Sequence, residues 1–355
     1  MFDISKGEEL WQAANTGNLE MVRKLASDPS VDVNFVGPEN SDSPLHTACR
    51  MRHLEVFREL MAHPRVQVTR ENVFGGTATT ISCCVGVTAM VVDLLADSRI
   101  DPVKPTTAGA TPIFFACQEG HVDIVRLLLL DPRIDPSKIT GDLSPFRVAC
   151  ERGHSEVVRL LLLDPRIDVN RPDASNCTPL WQASQEGHLD IVRQLLASGR
   201  EIDTKIRSEF NDTTAAEQGR AMGNGDRNWN DTEDEYQRSL KFGPLCADVI
   251  DEYDRNPREL QVRLRRLPGV RGHFIGLTFA LVVFFSDGFL RLRRRTRASP
   301  HRVVSFFEIC LKLPLELQML VCNRLFGSGR DVVRSADSEP GFRWLVRPLT
   351  WSHHS

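Results

Sequence analysis

A period of about 34 residues constrains this chain more than any other feature. Aligned on a turn position, Gly17, Arg52, Gly86, Gly120, Gly153 and Gly187 recur at steps of 35, 34, 34, 33 and 34 residues. Eleven residues after each comes a helix stop: Asp28-Pro29, His63-Pro64, Asp97-Ser98, Asp131-Pro132, Asp164-Pro165 and Ser198-Gly199. The clearest copy is TPIFFACQEGHVDIVRLLLLDPRID, residues 111–135. There Thr111 can cap a helix and Pro112 suits its first position. Gly120 supplies a left-handed turn residue. A second apolar run at helical spacing (Ile124, Val125, Leu128, Leu129) stops where Pro132 forbids continuation. Such a helix–turn–helix cannot bury its apolar face alone, so copies must stack on one another.

Period, opening and turn together resemble the ankyrin repeat family, with TP..(L/I)..A...GH..(V/I)V..LL legible in register. The resemblance covers about two-thirds of the chain and implies an all-α solenoid of paired antiparallel helices. It places an ankyrin domain at 5–242, with repeats at about 8–34, 42–68, 75–102, 109–136, 142–170 and 176–204. A capping half-repeat follows at 213–242, with Gly223 expected at its turn. A C-terminal helical domain is expected over 243–355. One departure recurs: DPRID-type strings stand where the family usually has Gly-Ala.

The charge divides in the same way. Residues 1–255 carry 27 Lys/Arg against 40 Asp/Glu, and residues 256–355 carry 17 against 7. An acidic body with a basic tail argues for two modules with different surface roles. The start, MFDISKGEELW, has no apolar signal run, which favours an intracellular chain, cytoplasmic or nuclear. Of nine cysteines, Cys49, Cys83, Cys117 and Cys150 hold one repeat position. Stacked helices stand about 8–10 Å apart, too far for a disulfide, so these read as small buried packing residues. No Cys-x₂-Cys pair or histidine cluster has metal-ligand spacing, so neither a metal nor a cofactor is expected.

Several local departures carry expectations. Repeat one opens on Glu8-Glu9, placed at a helix start where acids favour the dipole. Arg52 stands where glycine is expected, so that turn distorts or is held by other contacts. Repeat three (GGTATTISCCVGVTAMVVDLLADSRI) has no proline opening and a β-branched run, and should be locally the softest. Asp226, Asn228 and Asn230 have calcium-loop spacing, but Asp231 and Gln237 stand where glycine and glutamate belong. The simpler reading is a capping box of Thr232 with Glu235, opening a helix through about Lys241. Asn256-Pro257 opens another, with Leu260, Leu264 and Leu267 on one face.

Further on, the apolar run 274–285 has 12 residues, whereas a membrane span needs about 20. It reads as a buried helix, with membrane contact as the alternative. The basic stretch 291–297 reads as a solvated loop; import-signal, anionic-lipid and RNA contacts are its functional alternatives. No aromatic interleaving supports specific nucleic-acid recognition. Leu313-Pro314-x-Glu316-Leu317 resembles the start of an F-box. That resemblance implies that Leu313, Pro314 and Leu317 dock an adaptor subunit of a ubiquitin ligase.

No nucleophile elbow, phosphate loop, dinucleotide fingerprint or HExxH motif is present, so no catalytic residue is expected and the chain is not read as an enzyme. His121, His154 and His188 follow turn glycines, a position that is structural in ankyrin repeats. The resemblance instead implies protein binding through a concave face lined by first helices and loop tips. Its variable helix position carries Trp11, His46, Phe114, Arg147 and Trp181. The pairs before the turns carry Arg50-Met51, Gln118-Glu119, Glu151-Arg152 and Gln185-Glu186. The partner is a protein whose identity these residues do not name. A ubiquitin-ligase substrate adaptor and a peripheral membrane scaffold are the alternative readings.

Overall fold

A computed structural model describes residues 3–38, 40–138, 144–225, 232–265 and 267. Among them every regular element is helical, and they belong to two compact units, Met1–Val157 and Val158–Ser355. The first unit holds α1 (Ile4–Thr16), α2 (Leu19–Ser27), α3 (Pro44–Arg50), α4 (Leu54–Ala62) and α5 (Ala78–Val85). It continues with α6 (Thr88–Ala96), α7 (Pro112–Gln118), α8 (Val122–Leu130) and α9 (Pro145–Glu151). The division falls within α10 (Ser155–Leu162). The second unit holds α11 (Pro179–Gln185), α12 (Leu189–Ala197), α13 (Ala215–Gly223), α14 (Glu233–Arg255) and α15 (Pro257–Leu264).

The helix starts follow the sequence signals with two exceptions. Ser43, Thr77, Ser144 and Thr178 each accept a hydrogen bond from the backbone three residues on, satisfying a donor that the first helical turn leaves open. Thr111 occupies the same place before α7 without a side-chain cap bond. The start expected at Glu8-Glu9 is corrected: α1 begins at Ile4, capped by Asp3, which places both glutamates mid-helix. The helices end where glycine enters the left-handed region, at Gly17 (φ 72°), Gly86 (87°), Gly120 (73°), Gly153 (79°) and Gly187 (66°). Arg52 adopts the same conformation at φ 62°, so its turn is kept rather than distorted.

Apolar faces of the first unit converge on a core that includes Leu10, Leu45, Phe57, Leu60, Met90 and Leu94. Each such side chain contributes roughly 1.5–3 kcal/mol on full burial. Cys49, Cys83, Cys117 and Cys150 are wholly buried free thiols, as packing residues should be. Burial pushes Cys49 up to about 12 and raises the other three as well.

Neighbouring repeats are fastened on two sides. On the turn side, a histidine of one repeat lies against the turn glycine of the repeat before it. His53 Nε2 donates to Asn15 O (3.2 Å), His121 Nε2 to Cys84 O (3.0 Å) and His154 Nε2 to Gln118 O (2.8 Å). A Cβ added at Gly17, Gly86 or Gly120 would stand 2.7, 2.4 or 2.5 Å from the facing imidazole. Those positions therefore need glycine for space as well as for φ. On the opposite side, the arginines two residues past the helix stops donate to carbonyls at or beyond the end of the preceding repeat's second helix. Arg65 reaches Ala26 O (2.7 Å) and Asp28 O (2.9 Å), Arg99 reaches Met61 O (3.2 Å), and Arg133 reaches Leu95 O (2.9 Å). In the second unit Arg200 reaches Ile167 O (2.5 Å). The recurring departure from Gly-Ala thus caps helix C-termini across the repeat boundary.

Repeat three breaks the pattern twice. Val87 stands in the histidine column, so no imidazole faces Arg52 as one faces Gly17, Gly86 and Gly120. Thr79 stands where Leu10, Leu45, Ile113 and Phe146 fill the core in the other repeats of this unit, and its wholly buried hydroxyl has no hydrogen-bond partner. Thr79 also borders an open pocket of about 340 Å³, together with Val68, Thr77, Ile100 and Lys104.

The second unit corrects two expectations. The helix from Thr232 does not stop near Lys241 but runs unbroken to Arg255 with Pro244 inside it, so the boundary expected at 242/243 falls within one helix. Gly223 is not the turn glycine; it ends α13, and Gly225 is the left-handed residue (φ 96°). The two helices approach each other closely at three glycines. A Cβ at Gly219 would stand 2.6 Å from Gly243 O, one at Gly243 2.5 Å from Gly219 O, and one at Gly223 2.1 Å from Pro244 Cγ. The absence of a Cβ on Gly243 also relieves the clash that disfavours helix before proline. The Thr232/Glu235 capping box is present, and Leu260 and Leu264 of α15 are buried.

Candidate protein-binding face

Of the expected partner-contacting residues, the column following the core leucine is largely enclosed. His46 is 1 % exposed; its Nε2 donates to Arg70 O (3.0 Å) and its Nδ1 accepts from Ser43 N (3.3 Å). Trp181 is buried and its Nε1 donates to Thr213 Oγ1 (3.0 Å). Phe114 is buried too, edge-on to Phe115 with ring centroids 5.6 Å apart. Trp11 is half-buried, its indole lying where a Cβ on Gly37 would be 2.3 Å from Nε1. His46, Phe114 and Trp181, expected as partner contacts, are thus buried by the chain itself. For Trp11, His46 and Trp181 the cause is visible: the column points at the loop that opens the next repeat. Arg147 is 14 % exposed and pairs with Glu151 at 2.8 Å.

The pairs preceding the turns are more open. Met51, Glu119 and Arg152 are exposed, while Arg50, Gln118, Glu151, Gln185 and Glu186 are half-buried. Gln118 Nε2 donates to Glu119 Oε1 and Gln185 Nε2 to Glu186 Oε1, each at 3.0 Å. Arg50 is held by the buried Asp42 (2.7 Å), which also accepts from Asn72 Nδ2 (2.9 Å). That network ties the start of α3 to the loop before α5.

Two features were missed in the sequence. Cys84 and Val85 form the corresponding pair of repeat three, half-buried and apolar where most repeats are polar. Alignment on the turn would have found them. Val73 and Phe74 are exposed at the loop before α5, where the next repeat's corresponding loop carries Thr107-Ala108. Leu313, Pro314 and Leu317, the apolar run 274–285, the basic stretch 291–297 and the spacing at Asp226, Asn228 and Asn230 all lie outside the described residues. Among the described residues no helix is long and apolar enough to cross a membrane.

Comparison with known families agrees with this architecture. The family described as Ankyrin repeats (3 copies) matches residues 63–140 and 137–206, and the one described as Ankyrin repeats (many copies) matches residues 10–60. Together these spans exceed half of the chain, and the protein belongs to the ankyrin repeat family. It is thus a member of a protein-interaction fold. Curated protein sequences give no match. Among solved structures, the human ASB11 ankyrin repeat domain is similar with TM-score 0.51 and 25 % identity over 65 % of this chain and 96 % of that one. The ankyrin repeat domain of Bcl-3, a unique member of the IkappaB protein family, is similar with TM-score 0.49 and 24 % identity. That match covers 59 % of this chain and 92 % of the Bcl-3 domain.

Proposed function

We propose that this chain is a non-catalytic binding module that engages a protein partner through the ends of its first helices. Candidate contacts are Arg50, Met51, Gln118, Glu119, Glu151 and Arg152 in the first unit, and Gln185 and Glu186 in the second. One observation supports this reading above the rest. The turn histidines and the loop arginines spend their polar groups on neighbouring repeats, whereas Met51, Glu119 and Arg152 face solvent. Surface residues that the fold does not employ are free to recognise a partner. Co-purification from a lysate with the full chain tests it. Bound protein should be lost with Glu119→Lys combined with Arg152→Glu, and retained with Asp123→Lys on α8. Equal retention by the unsubstituted chain and both variants would overturn the assignment.

A further inference from the structure

The ends of α3 and α5 differ from those of the other first helices. Met51 and Val85 occupy the last position before the turn, where Thr16, Glu119, Arg152 and Glu186 stand elsewhere. Val87 replaces the histidine that would cover the preceding turn. Met51 is 42 % exposed, and Val85 and Val87 are half-buried against the core. Because α3 packs against α5, these three apolar residues fall at one repeat junction, with Met51 the exposed one. The border of this patch is charged asymmetrically. On the α3 side Arg52 is exposed in its left-handed turn, with no ion pair among the described residues. On the α7 side Glu119 is exposed, hydrogen-bonded to Gln118.

We propose that Met51, Val85 and Val87 receive an apolar side chain of a protein partner whose neighbouring carboxylate pairs with Arg52. This rests on the protein-binding reading above and specifies its chemistry. The patch supplies what an interface anchor needs: apolar surface that loses water on contact, beside a charge not already neutralised. Arg52 selects an acidic neighbour, and Glu119 sets its direction by repelling a carboxylate on the far side. Arg50 does not compete for that carboxylate, because Asp42 already holds it.

The test pans a library of random twelve-residue peptides on the full chain and measures the enriched peptides on variants. Enriched peptides should carry Leu, Ile, Met or Phe within two residues of Asp or Glu. Their affinity should fall tenfold or more with Met51→Asp and with Arg52→Glu, and change less than threefold with Asp123→Lys on α8. Panning on Arg52→Glu should exchange the acidic residue for Lys or Arg. Thermal melts identify any variant that fails to fold; Val85→Ser then takes its place. Peptides that bind but ignore Met51→Asp and Arg52→Glu would overturn this site and leave the binding reading standing. A library from which the chain enriches nothing would overturn both.

Discussion

Arg52 shows how one side chain depends on another in the next repeat. Its φ of 62° is strained for any residue with a Cβ, yet it keeps the turn in register. Replacing it with glycine removes a strain of about 1 kcal/mol, slightly offset by the freedom glycine gains when unfolded. Arg52→Gly should therefore raise the urea midpoint; no change would mean that contacts of the arginine compensate. His46 gives a second test at this scale. Burial lowers its pKa below the ordinary imidazole value, so the folded protein binds the proton less readily than the unfolded chain. Its contribution is complete above about pH 6.5 and is lost as pH falls from there towards the folded value. Urea midpoints should drop between pH 7.5 and pH 5.5, and His46→Gln should flatten that slope.

Repeat three is the element in which local choices conflict. Thr79 leaves a buried hydroxyl unpaired and a pocket at its side, and Val87 cannot make the bond to the preceding repeat that His53, His121 and His154 make. Hydrogen exchange should therefore be faster for amides of α5 and α6 than for those of α7 and α8. Thr79→Leu should raise stability by about 1 kcal/mol through added apolar burial; an unchanged urea midpoint would show that the pocket cannot close around leucine. In sequence this repeat announced itself by its missing proline and β-branched run. The pocket did not, since it depends on Val68 and Ile100 in the two adjoining loops. The enclosure of His46 and Trp181 was hidden for the same reason. Their partners, Arg70 and Thr213, lie 24 and 32 residues further along.

Across the molecule, the repeat frame was legible because most copies repeat the glycine, the histidine and the helix stop at one spacing. The second unit was legible only in part. Pro244 reads as punctuation, yet α14 passes through it, because Gly219, Gly223 and Gly243 let two helices touch backbone to backbone. Truncation after Phe242 would cut this helix and remove the buried Cys246, Ala247, Ile250, Leu260 and Leu264. It should lower the melting temperature by roughly 5 °C or more relative to truncation after Leu267. Equal melting would mean that α14 beyond Phe242 contributes little. The divided lock between turn glycine and following histidine also constrains the order in which substitutions can accumulate. Val87→His alone would press an imidazole against the Cβ of Arg52 and should destabilise. After Arg52→Gly the same change should stabilise. A double-mutant cycle in urea should therefore show sign epistasis, with one of the two mutational paths closed.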